Sequence, residues 1–560
     1  MTENSHRLYS FEEVVEAEGG AHIESQPTQG VWRRDSFQLG SNFPIEDVIS
    51  NADFAFSPTL TLSCVTILDG HNGQRIADLL GQLLPITVLS HVADVYSKHA
   101  QSMSSAFGFD VTGGQEVQFA EDQEQGENPV RHLERNPGEP PDPVPPGEEI
   151  DAAIREAFTA LDDFLVHESV RRVFGLDDEA YAALCARSPD DGKEASKADG
   201  KEGENKTDKA TVSAGSATNS KNTMSRAQAL EKLSYPNSGS CALMALFNPQ
   251  ERSLRLALTG DLRAVFGRRV LAPPDDSNGK GKNASGSNKS NLRYVYEVEQ
   301  LTADQNALNP AEAARLTSEH PNEPDLLKNN RVLGWGPARA FGDGTMKWCA
   351  EVQRRLHEEF LGDRLRDNCK TPPYFTAEPV VTTKEDLRRG DFVVLASDGL
   401  WDCLGSEEVV GLVGMWLEER GLKERVKQSD VGAGSGIKEL LLPSLPRIEE
   451  DEDPDTDTNR QHVARLFRPS QKQNNTAPKV YTPSELPVIY PANYKDRTPM
   501  YRYWRTEKKF VCEDENIATH LTRNALGGAD ADLREALTLM DVPRSRRFRD
   551  DISVVVVFFD

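Results

Sequence analysis

Paired cysteines, basic excess and long apolar runs are all scarce in this sequence. Its seven cysteines (Cys64, Cys185, Cys241, Cys349, Cys369, Cys403, Cys512) are odd in number, widely spaced and never arranged as C-x-x-C. That excludes a disulfide framework and a zinc-ribbon spacing, and fits reduced, buried thiols in an intracellular protein. Lys and Arg number 64 against 90 Asp and Glu, a net charge of −26, so a nucleic-acid partner, which needs a basic face, is disfavoured. No apolar run approaches the ~20 residues of a membrane span. There is no Walker loop and no dinucleotide-binding fingerprint. The first twenty residues carry one Arg against Glu3, Glu12, Glu13, Glu16 and Glu18, the reverse of a transit peptide.

Polar stretches dilute the apolar content to 37%. Residues 108–149 are rich in Gly, Pro, Gln and Glu and read as a loop, whereas 188–225 hold almost nothing apolar, which predicts disorder. Residues 273–291 repeat that character, and 427–500 contain an acidic run from Glu449 to Asp457 that reads as a solvated linker. Between them the helical period returns. Ile76, Leu79, Leu80, Leu83 and Leu84 predict a helix over 73–97, with Pro85 marking its end or a kink. Ile154, Phe158, Leu161 and Leu165 predict another over 150–174, and Gly527-Gly528 closes a third over 515–527. With the insertions set aside, 31–560 read as one interrupted domain behind an extension at 1–30.

What remains is a set of carboxylates at the ends of apolar, β-rich runs. Ser63 to Leu68 ends in Asp69-Gly70-His71, Leu254 to Leu258 in Thr259-Gly260-Asp261, and Phe392 to Ala396 in Ser397-Asp398-Gly399. Asp550-Asp551 opens the run Ile552 to Phe559. Each alone reads as a turn, since Asp-Gly is a common turn dipeptide. Together they gather hard oxygen donors at one sheet rim, as magnesium or manganese requires.

In order and spacing, Ile45-Glu46-Asp47, Leu68-Asp69-Gly70-His71-Asn72-Gly73, Thr259-Gly260-Asp261, Arg339-Ala340-Phe341-Gly342-Asp343, Ser397-Asp398-Gly399-Leu400-Trp401-Asp402 and Asp550-Asp551-Ile552-Ser553 resemble the motifs of the metal-dependent type-2C (PPM) protein phosphatases. Ser318-Glu319-His320-Pro321, Lys347-Trp348, Pro372-Pro373-Tyr374-Phe375 and the Asp550-Asp551 pair are similar to pyruvate dehydrogenase phosphatases. The resemblance implies an α+β fold, a four-layer α-β-β-α sandwich. It also implies serine/threonine phosphatase activity with two Mg²⁺ or Mn²⁺ ions and a weaker third. Such ions, roughly 3.5–4 Å apart, hold a bridging hydroxide in line with phosphorus.

By the same resemblance Asp69 bridges the ions and the Gly70 carbonyl is a further ligand. Asp398 and Asp550 complete one metal, and Asp261 and Asp402 join Asp398 at the third. Glu46 and Asp47 orient metal-bound water, and His71 is the general acid. Asn42 stands where many type-2C enzymes hold phosphate with Arg; an amide lacks that bidentate charge. Arg33 and Arg34 are nearby alternatives. Arg339 reads as structural, with Asp343 its partner, and Trp401 and Trp416 as core beneath the rim. The implied substrate is phosphorylated pyruvate dehydrogenase E1α in the mitochondrial matrix. The absent presequence leaves internal targeting or an upstream start. A cytosolic signalling phosphoprotein as substrate, or a silent phosphoprotein-binding scaffold, are the alternatives.

Overall fold

The computed structural model describes residues 31–56, 60–107, 144–186, 224–272, 294–429 and 478–559. The insertion predicted at 273–291, all but the last two residues of that at 188–225, most of 108–149 and the acidic run at 449–457 fall outside those residues, as does the extension at 1–30.

The described residues form thirteen strands: β1 (Val31–Leu39), β2 (Val48–Ala55), β3 (Thr61–His71), β4 (Gly239–Asn248), β5 (Ser253–Thr259), β6 (Arg263–Leu271), β7 (Tyr294–Gln300), β8 (Leu327–Lys328), β9 (Arg331–Val332), β10 (Phe341–Gly342), β11 (Val380–Lys384), β12 (Phe392–Ala396) and β13 (Ile552–Phe559). One sheet runs β1-β13-β12-β6-β7. The other runs β11-β5-β4-β3-β2, with β10 beside β4. Every pairing within them is antiparallel.

Alternation along the strands builds three apolar layers. Ile67, Leu243 and Leu258 of one sheet meet Val393, Val555 and Val557 of the other. The opposite faces are covered by helices α1 (Arg75–Phe107) and α2 (Gly147–Asp163) on one sheet and α6 (Ser406–Ser429) and α7 (Ile517–Ala525) on the other, while α3 (Asp178–Cys185), α4 (Arg226–Leu233) and α5 (Ala350–Phe360) pack on one another. Ile76, Leu80 and Leu84 of α1 and Phe158 of α2 pack on Leu62, Cys64 and Met244. Val409, Val413 and Trp416 of α6 and Leu521 of α7 pack on Val394, Val554 and Val556. The result is the expected α-β-β-α sandwich. Because β12 and β13 are covered on both faces, every residue in each is buried and neither alternates in sequence. Trp401 and Trp416 are both core residues.

Three readings change. Pro85 neither ends nor interrupts α1. Its missing N–H would orphan the carbonyl of Gly81, and the Ser50 hydroxyl of β2 donates to that oxygen at 2.6 Å. Secondly, α1 over Arg75–Ala100 is long and apolar enough to cross a membrane by length and composition alone, with mean hydropathy 1.5. Asp78, His91 and Asp94 masked this in the sequence, and the helix lays Ile76, Leu84, Val88 and Val92 into the core. Thirdly, 478–500 are no linker. Tyr481 pairs with Phe510 and Val488 with Tyr296, and Leu486 and Val488 are buried beside α6.

Within α7, His520 is fully buried and its pKa is pushed down to about 4, chiefly by desolvation. The unfolded chain therefore binds its proton first, and stability is lost as pH falls from about 6.5 to about 4. We expect His520→Gln to remove about 2 kcal/mol of the stability difference between pH 7 and pH 5. Urea unfolding of both chains at the two pH values checks this.

Candidate functional site

The two sheets bring four strand ends to one edge. β3 runs out at Asp69-Gly70-His71, held in register with Cys241, Ser240 and Gly239 of β4. β5 stops at Thr259, two residues before Asp261. β12 stops at Ala396, and a short helix, Asp398–Trp401, starts at Asp398 itself. β13 begins immediately after Asp550-Asp551. Two glycines let backbones pass where no side chain fits. A Cβ on Gly70 would lie 2.2 Å from the Glu46 carbonyl oxygen, and one on Gly399 would lie 2.1 Å from that of Asp551.

These carboxylates crowd one another. Asp69 is held well above the usual carboxylate range by burial first, then by Asp47, Asp398, Asp550 and Asp261. Asp398 is raised by burial, Asp550, Asp261 and Asp402. Asp261 is raised by burial and Asp304, although the Cys241 thiol lies 3.3 Å away and opposes the shift. Asp402, on the solvent side, is pushed up to about 6 by desolvation, Asp550 and Asp261. Asp550 is raised by burial, with Arg546 opposing.

Asp47 is the most telling member. It is 3% exposed and pushed up to about 8 by desolvation, then by Asp551. The hydroxyls of Ser397 and Ser553 face it, yet neither of its oxygens closes a hydrogen bond of normal geometry. A buried carboxylate without partners demands either a proton or a cation. An all-oxygen donor set of this kind fits a hard divalent ion. Among the described residues no three His, Cys, Asp or Glu side chains converge on one point.

His71 donates its Nε2–H to the Asp343 carboxylate at 2.7 Å, Asp343 being 1% exposed. Burial lowers the imidazole pKa, but Asp343, Asp261 and Glu46 outweigh it and the net shift is upward. The Trp335 ring lies 5.7 Å from the His71 ring. The expected Arg339–Asp343 pair is therefore corrected. Arg339 instead reaches Glu312 at 2.7 Å and the Glu378 carbonyl at 2.8 Å. Asp343 sits at φ 48°, a left-handed backbone that Asp tolerates and that turns its side chain toward His71.

Asn42 gives its amide N–H to Glu46 at 2.8 Å. Glu46 also accepts from the Gly73 N–H at 2.6 Å and from Arg546 at 2.7 Å. Arg546, missed in the sequence, approaches Asp550 at 3.8 Å and is 41% exposed. Arg33 and Arg34 lie elsewhere. Arg33 is bound to Asp35 at 2.5 Å and stacks on Trp416, while Arg34 faces Asp53 and Cys64. Asp551 is buried and accepts from the backbone N–H groups of Ser41, Asn42 and Glu46 and from the Ser41 hydroxyl. It anchors the 41–46 loop. A cleft of about 340 Å³ opens beside Asp261, Asp398 and Asp402, also lined by Arg263, Asp304 and Arg331.

A family model described as protein phosphatase 2C matches residues 159–431. Over that stretch the chain is similar to protein phosphatase 2C domains. That match takes in Asp261, Asp398 and Asp402 but neither Asp69 nor Asp550. Other similarities are longer. A mitochondrial pyruvate dehydrogenase (acetyl-transferring) phosphatase 1 of Saccharomyces cerevisiae is 28% identical over 96% of this chain and 70% of its own length. A protein phosphatase 2C homolog of Schizosaccharomyces pombe is 33% identical over 58% of this chain and 53% of its own. The human mitochondrial pyruvate dehydrogenase phosphatase 2 is 37% identical over 55% and 45%. The chain thus spans about half the length of two of these relatives. The protein phosphatase 2C family is metal-dependent, on magnesium or manganese.

Proposed function

We propose that this chain is a metal-dependent protein serine/threonine phosphatase acting on phosphorylated pyruvate dehydrogenase E1α. The buried, uncompensated carboxylate group at the sheet edge supports the chemistry, with Asp47 its clearest sign. The relatives named as pyruvate dehydrogenase phosphatases support the substrate, and their mitochondrial names support a matrix location.

In this reading Asp69, the Gly70 carbonyl, Asp398 and Asp550 would hold two divalent ions, and Asp261 and Asp402 with Asp398 would hold a weaker third. When bound, the ions make water nucleophilic at neutral pH and neutralise charge on the phosphoryl oxygens. Glu46 and Asp47 orient water around them, Glu46 being fixed by Asn42, Gly73 and Arg546. His71, kept protonated by Asp343, gives its proton to the departing serine oxygen. With Nε2 turned to Asp343, Nδ1 is the nitrogen left for that transfer.

Arg546 supplies the positive charge that Asn42 lacks. Arg546→Ala is expected to raise KM for a phosphopeptide about three- to tenfold with kcat nearly unchanged, the modest effect of a half-exposed charge. Initial rates across peptide concentration decide it.

The test of function is phosphate release from phosphorylated E1α, beside a generic phosphoserine peptide, with magnesium or chelator. Chelator-sensitive release favouring E1α is the expected result. Release from the generic peptide alone discards the mitochondrial substrate and favours a cytosolic phosphoprotein. Failure on both, from folded protein, replaces the enzyme with a phosphoprotein-binding scaffold.

A further inference from the structure

Outside the carboxylate site, a second reactive group sits in the helical layer. Helices α3, α4 and α5 pack through Tyr181, Leu184, Ala229, Leu233, Val352 and Leu356. At the edge of that cluster the Sγ atoms of Cys185, the last residue of α3, and Cys349, immediately before α5, lie 2.9 Å apart. Cys64, Cys241, Cys369 and Cys403 are buried, whereas Cys185 and Cys349 are both partly exposed.

We propose that Cys185 and Cys349 are a dithiol that peroxide converts to a disulfide, stapling α3 to the start of α5. Closing the pair to a ~2.05 Å bond needs less than about 1 Å of movement. Both residues end or precede a helix, where a small shift leaves the packed side chains in place. The surroundings also make Cys349 the attacking sulphur. Its pKa is held down to about 7 first by the Cys185 thiol, and then, against burial, by the N–H groups of Val352 and Glu351 at the helix start. Tyr181, in turn hydrogen-bonded to His167 at 2.8 Å, faces Cys185.

The chemistry closes without further reactants. The Cys349 thiolate attacks one peroxide oxygen, forming an S–O bond as the O–O bond breaks and hydroxide leaves. Cys185 then attacks that sulphur, an S–S bond forms, the S–O bond breaks, and the Cys185 proton departs in water. Two thiols lose two electrons and two protons, and one peroxide becomes two waters.

The staple would close a loop spanning 164 residues. It would also tie α3 to the segment leading back through Trp348, Lys347 and Gly344 to Asp343, the partner of His71. Lys347 already anchors that segment to Asp162 at 2.6 Å.

The reduced full-length chain is treated with stoichiometric hydrogen peroxide, alkylated under denaturing conditions and mapped by mass spectrometry. The expected result is a peptide joining Cys185 to Cys349, with loss of two hydrogens. The melting temperature should rise about 3 °C, reversed by dithiothreitol. In Cys185→Ser the same treatment should leave Cys349 as a trappable sulfenic acid. The inference is overturned if both thiols stay alkylatable, if Cys349 accumulates sulfinic acid while Cys185 remains free, or if the cross-link leaves the melting temperature unchanged. The first two are read on wild-type protein, so a misfolded variant does not obscure them.

Discussion

Asp69→Asn should lower magnesium-supported phosphate release by more than about a hundredfold while making the metal-free protein more stable. Both effects follow from one cause. In the folded chain Asp69 is buried among Asp47, Asp398, Asp550 and Asp261, which hold its pKa far above the usual range. A group so raised opposes folding once it ionises. A neutral amide of the same shape relieves that opposition. It also cannot serve two cations, and losing a ligand at such a centre costs more than the ten- to hundredfold typical of an outer-shell contact. Melting curves in chelator should therefore shift upward for the variant, while the gain on adding magnesium should shrink. Turnover within twofold of wild type would sink the assignment of Asp69 as the shared ligand.

Asp551→Ala should destabilise the protein by about 3–5 kcal/mol and abolish turnover together. The carboxylate is 4% exposed and is the acceptor for three backbone N–H groups, those of Ser41, Asn42 and Glu46, and for the Ser41 hydroxyl. Removing it leaves buried donors without partners, each worth about 1–3 kcal/mol. It also frees the loop that carries Glu46. Asp551→Asn should be milder, because one oxygen still accepts from Ser41 and Asn42 and only the bond from Glu46, at 3.0 Å, meets an amide donor. Equal losses in the two variants, measured by urea unfolding, would show that the acceptor geometry does not matter.

Asp551 shows how much of this site was legible in the sequence. Its pairing with Asp550 was visible, but its task was not, because its partners lie about 500 residues away. The carboxylates that end strands announced themselves, since an apolar run followed by Asp-Gly is a local pattern. Asp343 and Arg546 carried no such pattern. One depends on a left-handed backbone that aims it at His71, the other on where a short turn after α7 leads. Helix α1 was legible as a helix but not as a continuous one, because Ser50 on a neighbouring strand answers for the bond that Pro85 cannot make. The strands β12 and β13 were plain in β-rich composition, while their order in the sheet, with β13 between β1 and β12, is a tertiary fact. For Cys185 and Cys349, 164 residues apart, spacing offered no hint.

That order has a consequence for synthesis. β13 is not an edge strand appended to a finished sheet but a central one, and the residues just before it supply Asp550 and Asp551. A ribosome that has made Asp69, Asp261 and Asp398 has still made neither a complete sheet nor a complete site. Any product that stops short of Asp550 would leave β1 and β12 without their common neighbour, and the 41–46 loop without its anchor. Loss of Asp551 and β13 should therefore remove fold and activity at once.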